Sequence, residues 1–177
     1  GMLLYLVKHS RPDISNAVRE LAKVMDGAAP RHMKSLLRTI KYVIDTKDRS
    51  LVLKPTVGLH NNVWIMTGRS DSDYAGDKDT RTSVSGYVVY LNGALISWKS
   101  RGQKSVTLSS TEAEYIALAE LCTEVIFIKM VIESIGMSVQ TPIVLHADNI
   151  GAIFLAGNSS TGKRTKHIDV RYHFIRE

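Results

Sequence analysis

The sequence lacks a second cysteine, a long apolar run and a signal peptide. Cys122 is the single cysteine among 177 residues, which excludes an internal disulfide and a zinc site built on paired cysteines. No apolar stretch approaches the roughly 18 residues that a membrane-spanning helix needs, and no signal-peptide pattern opens the chain. These absences predict a soluble, intracellular protein without a transmembrane segment.

Basic residues outnumber acidic ones. Lys and Arg total 23 against 17 Asp and Glu, which gives a formal net charge of +6 and a sequence pI of about 9.5. This balance favours partners that carry phosphate, either nucleic acid or an anionic membrane surface, and charge alone does not choose between them. With 44% hydrophobic residues, the chain is long enough for one substantial core and a smaller appended lobe.

The spacing of apolar residues divides the chain into two parts. Residues 1–50 carry the 3.6-residue period of two helices, one beginning at Asp13 and one through residues 33–44. From residue 51 the period becomes that of strands, and later of helices again. The predicted fold class is therefore α/β (α+β), with a mixed sheet and flanking helices over residues 51–177, preceded by a helical hairpin over residues 1–50.

The second part carries several predicted strands and one long helix. An Asn/Gly pair at 92–93 predicts a hairpin turn. The long helix is expected at about 110–135, and a strand at 142–148 is apolar enough to lie buried on both faces. A final short helix is expected at about 149–156. The predicted strands before the long helix are LVLKPTV, NVWIMTGRSD, SGYVVYL, ALISWKS and SVTLS.

The stretch SSTEAEYIAL at 109–118 begins the long helix and carries two carboxylates. Ser109 with Glu112 and Thr111 with Glu114 both have the spacing of a capping box, in which the acid satisfies a free backbone amide. The pattern therefore explains one of the two glutamates, Glu112 or Glu114. Glu114 lies two residues further, about 200° around the helix axis, on the apolar side. An isolated buried charge is strongly unfavourable, so Glu114 must be paired, protonated or bound to metal. That apolar side continues through Ala117, Leu118, Leu121 and Val125.

Two further acids follow predicted strands. Asp71 ends IMTGRSD and Asp148 ends IVLHAD. A single aspartate in this position is usually a turn residue. If the strand ends converge and the long helix crosses them with Glu114 facing the sheet, however, the three acids share one point. Three carboxylates together repel unless divalent cations neutralise them, and all-oxygen ligation favours Mg²⁺, with Mn²⁺ as the alternative.

Three blocks of the sequence resemble the ribonuclease H domain of copia-type retrotransposon polyproteins: SDSDYAGDKDTRTSVSGYVVYLNGALISWKSRGQKSVTLSSTEAEYIAL, HADNIGAI and RTKHIDVRYHFIRE. The N-terminal SRPDISNAV and RHMKSLLRTIKYV resemble the end of the preceding reverse transcriptase region. The resemblance implies a ribonuclease H fold and cleavage of RNA within RNA/DNA hybrids. It also implies that Asp71, Glu114 and Asp148 are catalytic and metal-binding, with Mg²⁺ as cofactor. A transposase or integrase core would share the acids but not the STEAEY and RTKHID blocks.

The chain departs from the family pattern at two places. The family has a glutamine two residues after the third acid, whereas this chain has Ile150, which predicts a weaker grip on substrate. The family also continues past Glu177 into a strand and a helix with a fourth acid, so the domain is expected to be truncated at its C-terminus. We therefore expect weak or absent cleavage, and a homodimer formed through the incomplete sheet. The alternative function is a non-catalytic module, either hybrid-binding or structural.

Two basic clusters and two polar residues are the predicted nucleic-acid contacts. The basic residues would follow the phosphates, although solvated loops would have the same composition. Ser109 and Asn149, next to the acids, could meet the 2′-hydroxyls that distinguish RNA from DNA. The expected partners are an RNA/DNA hybrid and the remainder of a reverse transcriptase polyprotein, with no membrane partner, in a cytoplasmic virus-like particle or the nucleus. The basic residues are Lys99, Arg101, Lys104, Lys163, Arg164 and Lys166.

Overall fold

The structure is a computed structural model that describes residues 1–56, 58, 63–77, 80–157, 172 and 175. The chain divides into two compact units, residues 1–52 and 53–177. No helix within these described stretches is both long enough and apolar enough to cross a membrane.

The first unit is built from helices. Pro12 and Pro30 stand at the first positions of helical segments, where the missing amide proton costs nothing. Ile14 and Val18 are its buried apolar residues. The two predicted helices are present and contact each other, and an additional helix precedes them. The helices are α1 (Met2–His9), α2 (Ser15–Lys23) and α3 (Pro30–Asp45), with short 3-10 segments at Pro12–Ile14 and Met25–Gly27.

A buried arginine, Arg11, joins the segment between α1 and α2 to the end of α3. Arg11 donates from Nε and Nη2 to the carboxylate of Asp13 at 2.9 and 2.8 Å, and from Nη2 to Oγ1 of Thr46 at 2.7 Å. The hydroxyl of Tyr42 donates to the same carboxylate at 3.0 Å. These hydrogen bonds, led by the one from Arg11, lower the pKa of Asp13. The network links α3 to the segment that precedes α2.

We expect Asp13→Asn to destabilise the first unit by about 1 kcal/mol at neutral pH, since the Asp13 side chain is 38% exposed and its ion pair is partly screened. Because folding lowers the pKa of Asp13, its stabilisation is complete above the unfolded value near 3.8 and is lost as the pH falls through the lower folded value. Urea unfolding at pH 7 and pH 2.5 measures this difference. Asp45→Asn is the control, because it removes an exposed pair with Lys41. Equal losses for the two variants at pH 7 would contradict the assignment.

The second unit contains a mixed sheet, which confirms the predicted α/β class. The strands are β1 (Val63–Trp64), β2 (Met66–Asp73), β3 (Val84–Leu91), β4 (Ala94–Gly102), β5 (Ser138–Val139) and β6 (Val144–His146), and the helices are α4 (Ser110–Ser134) and α5 (Ile150–Gly157). The four-stranded sheet has the order β4-β3-β2-β6. Strand β3 is antiparallel to both of its neighbours, and β6 is parallel to β2. Strands β1 and β5 form a separate parallel pair.

The turn between β3 and β4 forms as predicted. Asn92 and Gly93 both have positive φ, +46° and +83°, as a two-residue hairpin turn requires. The buried Asn92 side chain also accepts a hydrogen bond from the amide of Ile65 at 2.7 Å. The turn is thereby tied to the chain just before β2.

Two of the predicted strands are wrong. Residues 51–56 are not in a strand, and Thr56 instead donates its amide to the carbonyl of Asn92 at 2.8 Å. The SVTLS stretch is a loop leading into α4. Its alternating residues make other contacts instead, because Thr107 hydrogen-bonds the buried hydroxyl of Ser83, 24 residues away, and Ser109 caps the helix.

Helix α4 packs across β2 and β3. The contact is close at Gly68, where a Cβ atom would lie 2.8 Å from Cδ1 of Leu121. Leu121 is fully buried and belongs to the main core cluster, together with Met66, Val89 and Val125. This packing fixes the distance between the first turns of α4 and the strand that carries Asp71.

The prediction that the 142–148 strand is buried on both faces is wrong. Within the described part of the chain, β6 lies at the edge of the sheet and pairs with β2 alone. Val144 is 52% exposed, and His146 is exposed as well. An apolar run reports the preference of its side chains for burial, whereas a strand's position in a sheet depends on long-range pairing. The predicted homodimer through this edge stays a prediction.

Candidate metal centre

Three predicted acids come together at one end of the sheet. Strands β2 and β6 run parallel, with Arg69 opposite His146, so Asp71 and Asp148 lie at the same level two residues further along. Helix α4 brings Glu114 to the same place. One carboxylate oxygen of each acid lies within 4.8 Å of those of the other two. Asp71 and Asp148 are exposed, whereas Glu114 is buried.

The environment of Glu114 is unusual for a carboxylate, because it is 6% exposed. Ser72 donates twice to its Oε1, from the backbone amide at 2.9 Å and from the hydroxyl at 2.7 Å. Among the described residues, Oε2 has no hydrogen-bond partner. Burial raises the pKa of Glu114, the Ser72 hydrogen bonds oppose this rise, and the charges of Asp148 and Asp71 add to it.

This donor set fits a hard divalent cation. All three groups offer oxygen, and two of them, Asp71 and Asp148, are exposed to solvent. A cation would satisfy the unpartnered Oε2 of Glu114 and would neutralise the repulsion among the three charges. Oε2 of Glu114 is thus a buried acceptor without a donor among the described residues.

Glu112 has the separate role that the capping pattern predicted. Ser109 is the N-cap of α4, and its Oγ accepts from the amide of Glu112 at 3.1 Å. The Glu112 carboxylate accepts from the amide of Leu108 at 2.7 Å. It thus reaches one residue beyond the N-cap, rather than the N-cap amide of an ideal capping box.

Gln103 holds the beginning of α4 against the sheet. Its side chain is buried, and Nε2 donates to Oγ of Ser85 and to the carbonyl of Ala113, both at 2.9 Å. Ala113 directly precedes Glu114. The side-chain amide of Gln103 therefore links β3 to the turn of α4 that carries the buried acid.

The two predicted hydroxyl-contact residues both cap helices. Ser109 is exposed at the start of α4. Asn149 precedes α5, and its Oδ1 accepts from the amide of Ala152 at 3.0 Å. The Ser109 hydroxyl proton and the Asn149 Nδ2 are not used in these caps. Contact of either residue with a 2′-hydroxyl stays a prediction.

The predicted basic contacts are placed in part. Lys99 and Arg101 lie on β4, Lys104 lies in the loop after it, and all three are exposed. Lys99 Nζ lies 5.7 Å from the centroid of the Tyr87 ring. The second predicted cluster, Lys163, Arg164 and Lys166, lies outside the described residues.

Sequence reasoning missed two residues that contact this centre or its support. Ser72 and Gln103 were given no role, because serine and glutamine occur widely in turns and on surfaces. The alternation of β2 indicates that Ser72 lies on the face of the strand that packs inward, since Met66, Gly68 and Ser70 on the same face are buried. No comparable signal exists for Gln103, whose contacts join residues far apart in the sequence.

The chain is similar to several known proteins. It is 40% identical over 176 residues to the retrovirus-related Pol polyprotein from transposon RE1 of Arabidopsis thaliana, covering 99% of this chain and 12% of that protein. It is 38% identical over 177 residues to the Pol polyprotein from transposon TNT 1-94 of Nicotiana tabacum, covering 100% and 13%. The secreted RxLR effector protein 161 of Plasmopara viticola is 37% identical over 128 residues, covering 72% and 87%.

The chain thus spans about an eighth of the length of the two transposon polyproteins. No family model and no solved structure matches it.

Proposed function

We propose that this chain, which is similar over nearly its whole length to a region of retrotransposon Pol polyproteins, is a metal-dependent ribonuclease H that cleaves the RNA strand of RNA/DNA hybrids. It would act inside the cell, in a virus-like particle or the nucleus, next to the remainder of a reverse transcriptase polyprotein. The observation that carries the proposal is the convergence of Asp71, Glu114 and Asp148, with one oxygen of each within 4.8 Å of the others.

The three acids have different tasks in this proposal. Asp71 and Asp148 are exposed and would hold the cation from the solvent side, whereas Glu114 is buried and would hold it from the side of the core. When bound, Mg²⁺ or Mn²⁺ supplies positive charge that lowers the pKa of the attacking water and stabilises the leaving oxygen. The chain's own residues orient this charge, because Asp71 is fixed by the β2 ladder and Glu114 by Ser72.

Three exposed basic side chains support the proposal that the chain binds nucleic acid. Lys99, Arg101 and Lys104 carry positive charge on β4 and in the loop that leads toward the first turn of the helix. In the proposal they bind phosphates on either side of the cleavage point, which makes affinity for the hybrid fall as salt rises.

A second candidate is hybrid binding without cleavage. The observation that favours it is that three acids, and not the four of the family pattern, converge among the described residues. Three ligands suffice for one cation, whereas two-metal hydrolysis places a second cation opposite the first. For the first candidate, the same three ligands lead us to expect slow cleavage.

A cleavage assay separates the two candidates. The purified chain is incubated with a hybrid whose RNA strand is end-labelled, and with DNA duplex and single-stranded RNA of the same sequence. The buffers contain Mg²⁺, Mn²⁺, Ca²⁺ or chelator. We expect slow cutting of RNA in the hybrid with Mg²⁺ or Mn²⁺, and none with chelator.

Asp148→Asn, purified in parallel, is the control for contaminating nucleases and is expected to be inactive. Tight hybrid binding without cutting in any metal favours the second candidate. The proposed ribonuclease is contradicted if the chain neither binds nor cuts the hybrid, or if wild type and Asp148→Asn cut it equally.

A further inference from the structure

One residue of β2 holds one oxygen of Glu114 with two donors. The Ser72 amide and hydroxyl converge on Oε1 at 2.9 and 2.7 Å, and Oε2 has no hydrogen-bond partner among the described residues. Ser72 directly follows Asp71, so neighbouring residues of one strand contribute a candidate ligand and a contact to another candidate ligand. Its cross-strand neighbour on β3 is Ser85, which accepts from Gln103.

From this geometry we infer that Ser72 is a positioning residue of the metal centre, which orients Glu114 so that its second oxygen stays available to the cation. The inference rests on the proposed function, since it concerns the cation that the three acids would hold. In this inference Ser72 would not itself be a ligand of the cation. It acts through the carboxylate of Glu114.

The need for such an anchor follows from the charges around Glu114. A glutamate carboxylate turns easily about its last side-chain bond, and Asp71 and Asp148 repel it while no cation is present. Two donors on one oxygen restrain the position of that oxygen and so limit how far the carboxylate can turn away. Hydrogen bonds to an ionised acceptor are short and strong, and both distances are in that range.

A purely structural role for Ser72 is the competing explanation. In that case the hydroxyl would only satisfy a buried acceptor, and its removal would lower stability without changing cation affinity in particular. The two roles therefore differ in what they predict for metal binding by the folded protein.

The test measures Mn²⁺ affinity directly, by the electron paramagnetic resonance signal of free Mn²⁺ during titration of the full chain without nucleic acid. Ser72→Ala keeps the backbone donor and removes the hydroxyl. We expect about 10–100-fold weaker Mn²⁺ binding, the usual effect of losing a group that orients a ligand. Ser72→Thr and Ser72→Val compare side chains of the same shape with and without a hydroxyl. We expect the Mn²⁺ affinity of Ser72→Thr to lie within about threefold of wild type.

Ser70→Ala is the matched control. Ser70 lies on the same strand and the same face and is buried, and its hydroxyl has no hydrogen-bond partner among the described residues. We expect this variant to bind Mn²⁺ like wild type. Melting temperatures without metal establish that each variant is folded, and the Thr/Val pair keeps the test decisive if Ser72→Ala does not fold.

The outcomes separate this inference from the proposed function. Wild-type affinity in both Ser72→Ala and Ser72→Val, with Glu114→Gln abolishing binding, would overturn the positioning role and leave the metal centre in place. Absence of Mn²⁺ binding by the wild-type chain would overturn both. A selective loss in the Ala and Val variants, with affinity retained in Ser72→Thr and Ser70→Ala, supports the role.

Discussion

We expect Glu114→Gln to lower the proposed hydrolysis of the RNA strand by at least about 100-fold, because groups that only orient a metal ligand already contribute 10–100-fold and Glu114 is a ligand in the proposed centre. The same change is expected to raise the melting temperature of the metal-free protein by a few degrees. The neutral amide removes a buried charge and its repulsion with Asp71 and Asp148, a change worth on the order of 1 kcal/mol. Activity and stability thus move in opposite directions.

Glu112→Gln is the control for this experiment. Glu112 lies two residues before Glu114 on the same helix and is also buried. Its carboxylate accepts from the amide of Leu108, a contact that the side-chain carbonyl of a glutamine can keep. We expect its activity to stay within a few-fold of wild type. Cleavage in Mn²⁺ and calorimetric melting in chelator measure the two quantities. Equal activity of Glu114→Gln and wild type would remove Glu114 from the reaction.

Leu121→Ala lowers the free energy of unfolding of the second unit by about 2–5 kcal/mol, the usual range for a fully buried leucine. Leu121 fills the space left by Gly68 on β2 and also lies in the main core cluster. Its removal leaves a cavity between α4 and the sheet. Since that contact fixes Glu114 relative to Asp71, Mn²⁺ affinity should also fall.

Urea unfolding followed by tryptophan fluorescence measures this effect. Both tryptophans, Trp64 and Trp98, belong to the second unit, so the signal does not report the helices of residues 1–52. Phe127→Ala is the control, because Phe127 is on the same helix and 61% exposed, and surface changes are usually within about 0.5 kcal/mol. Similar losses for the two variants would contradict the packing described here.

The parts of the site that sequence reasoning predicted depend on local patterns. The helical period placed Glu114 among buried residues, and the Ser109 and Glu112 spacing indicated where α4 begins. Both signals arise within one or two helical turns, so they survive without knowledge of the rest of the fold. The Asn92 and Gly93 turn is local in the same sense.

The remaining features depend on contacts between distant segments. SVTLS alternates like a strand, but Thr107 bonds Ser83 and no strand partner is available to it among the described residues. The apolar run of β6 indicates burial, but it does not indicate whether the strand lies at the edge or in the centre of the sheet. Ser72 gains its proposed role from Glu114, 42 residues away, so the alternation of β2 indicates the face on which Ser72 lies but not the residue that it contacts.

The most direct test is crystallographic. Crystals of the chain soaked in Mn²⁺ should show an anomalous peak coordinated by Asp71, Asp148 and the Oε2 atom of Glu114, with Ser72 still bonded to Oε1. A Glu114 side chain paired with a lysine or arginine, or Mn²⁺ bound elsewhere while these three carboxylates stay empty, would contradict the proposed metal centre.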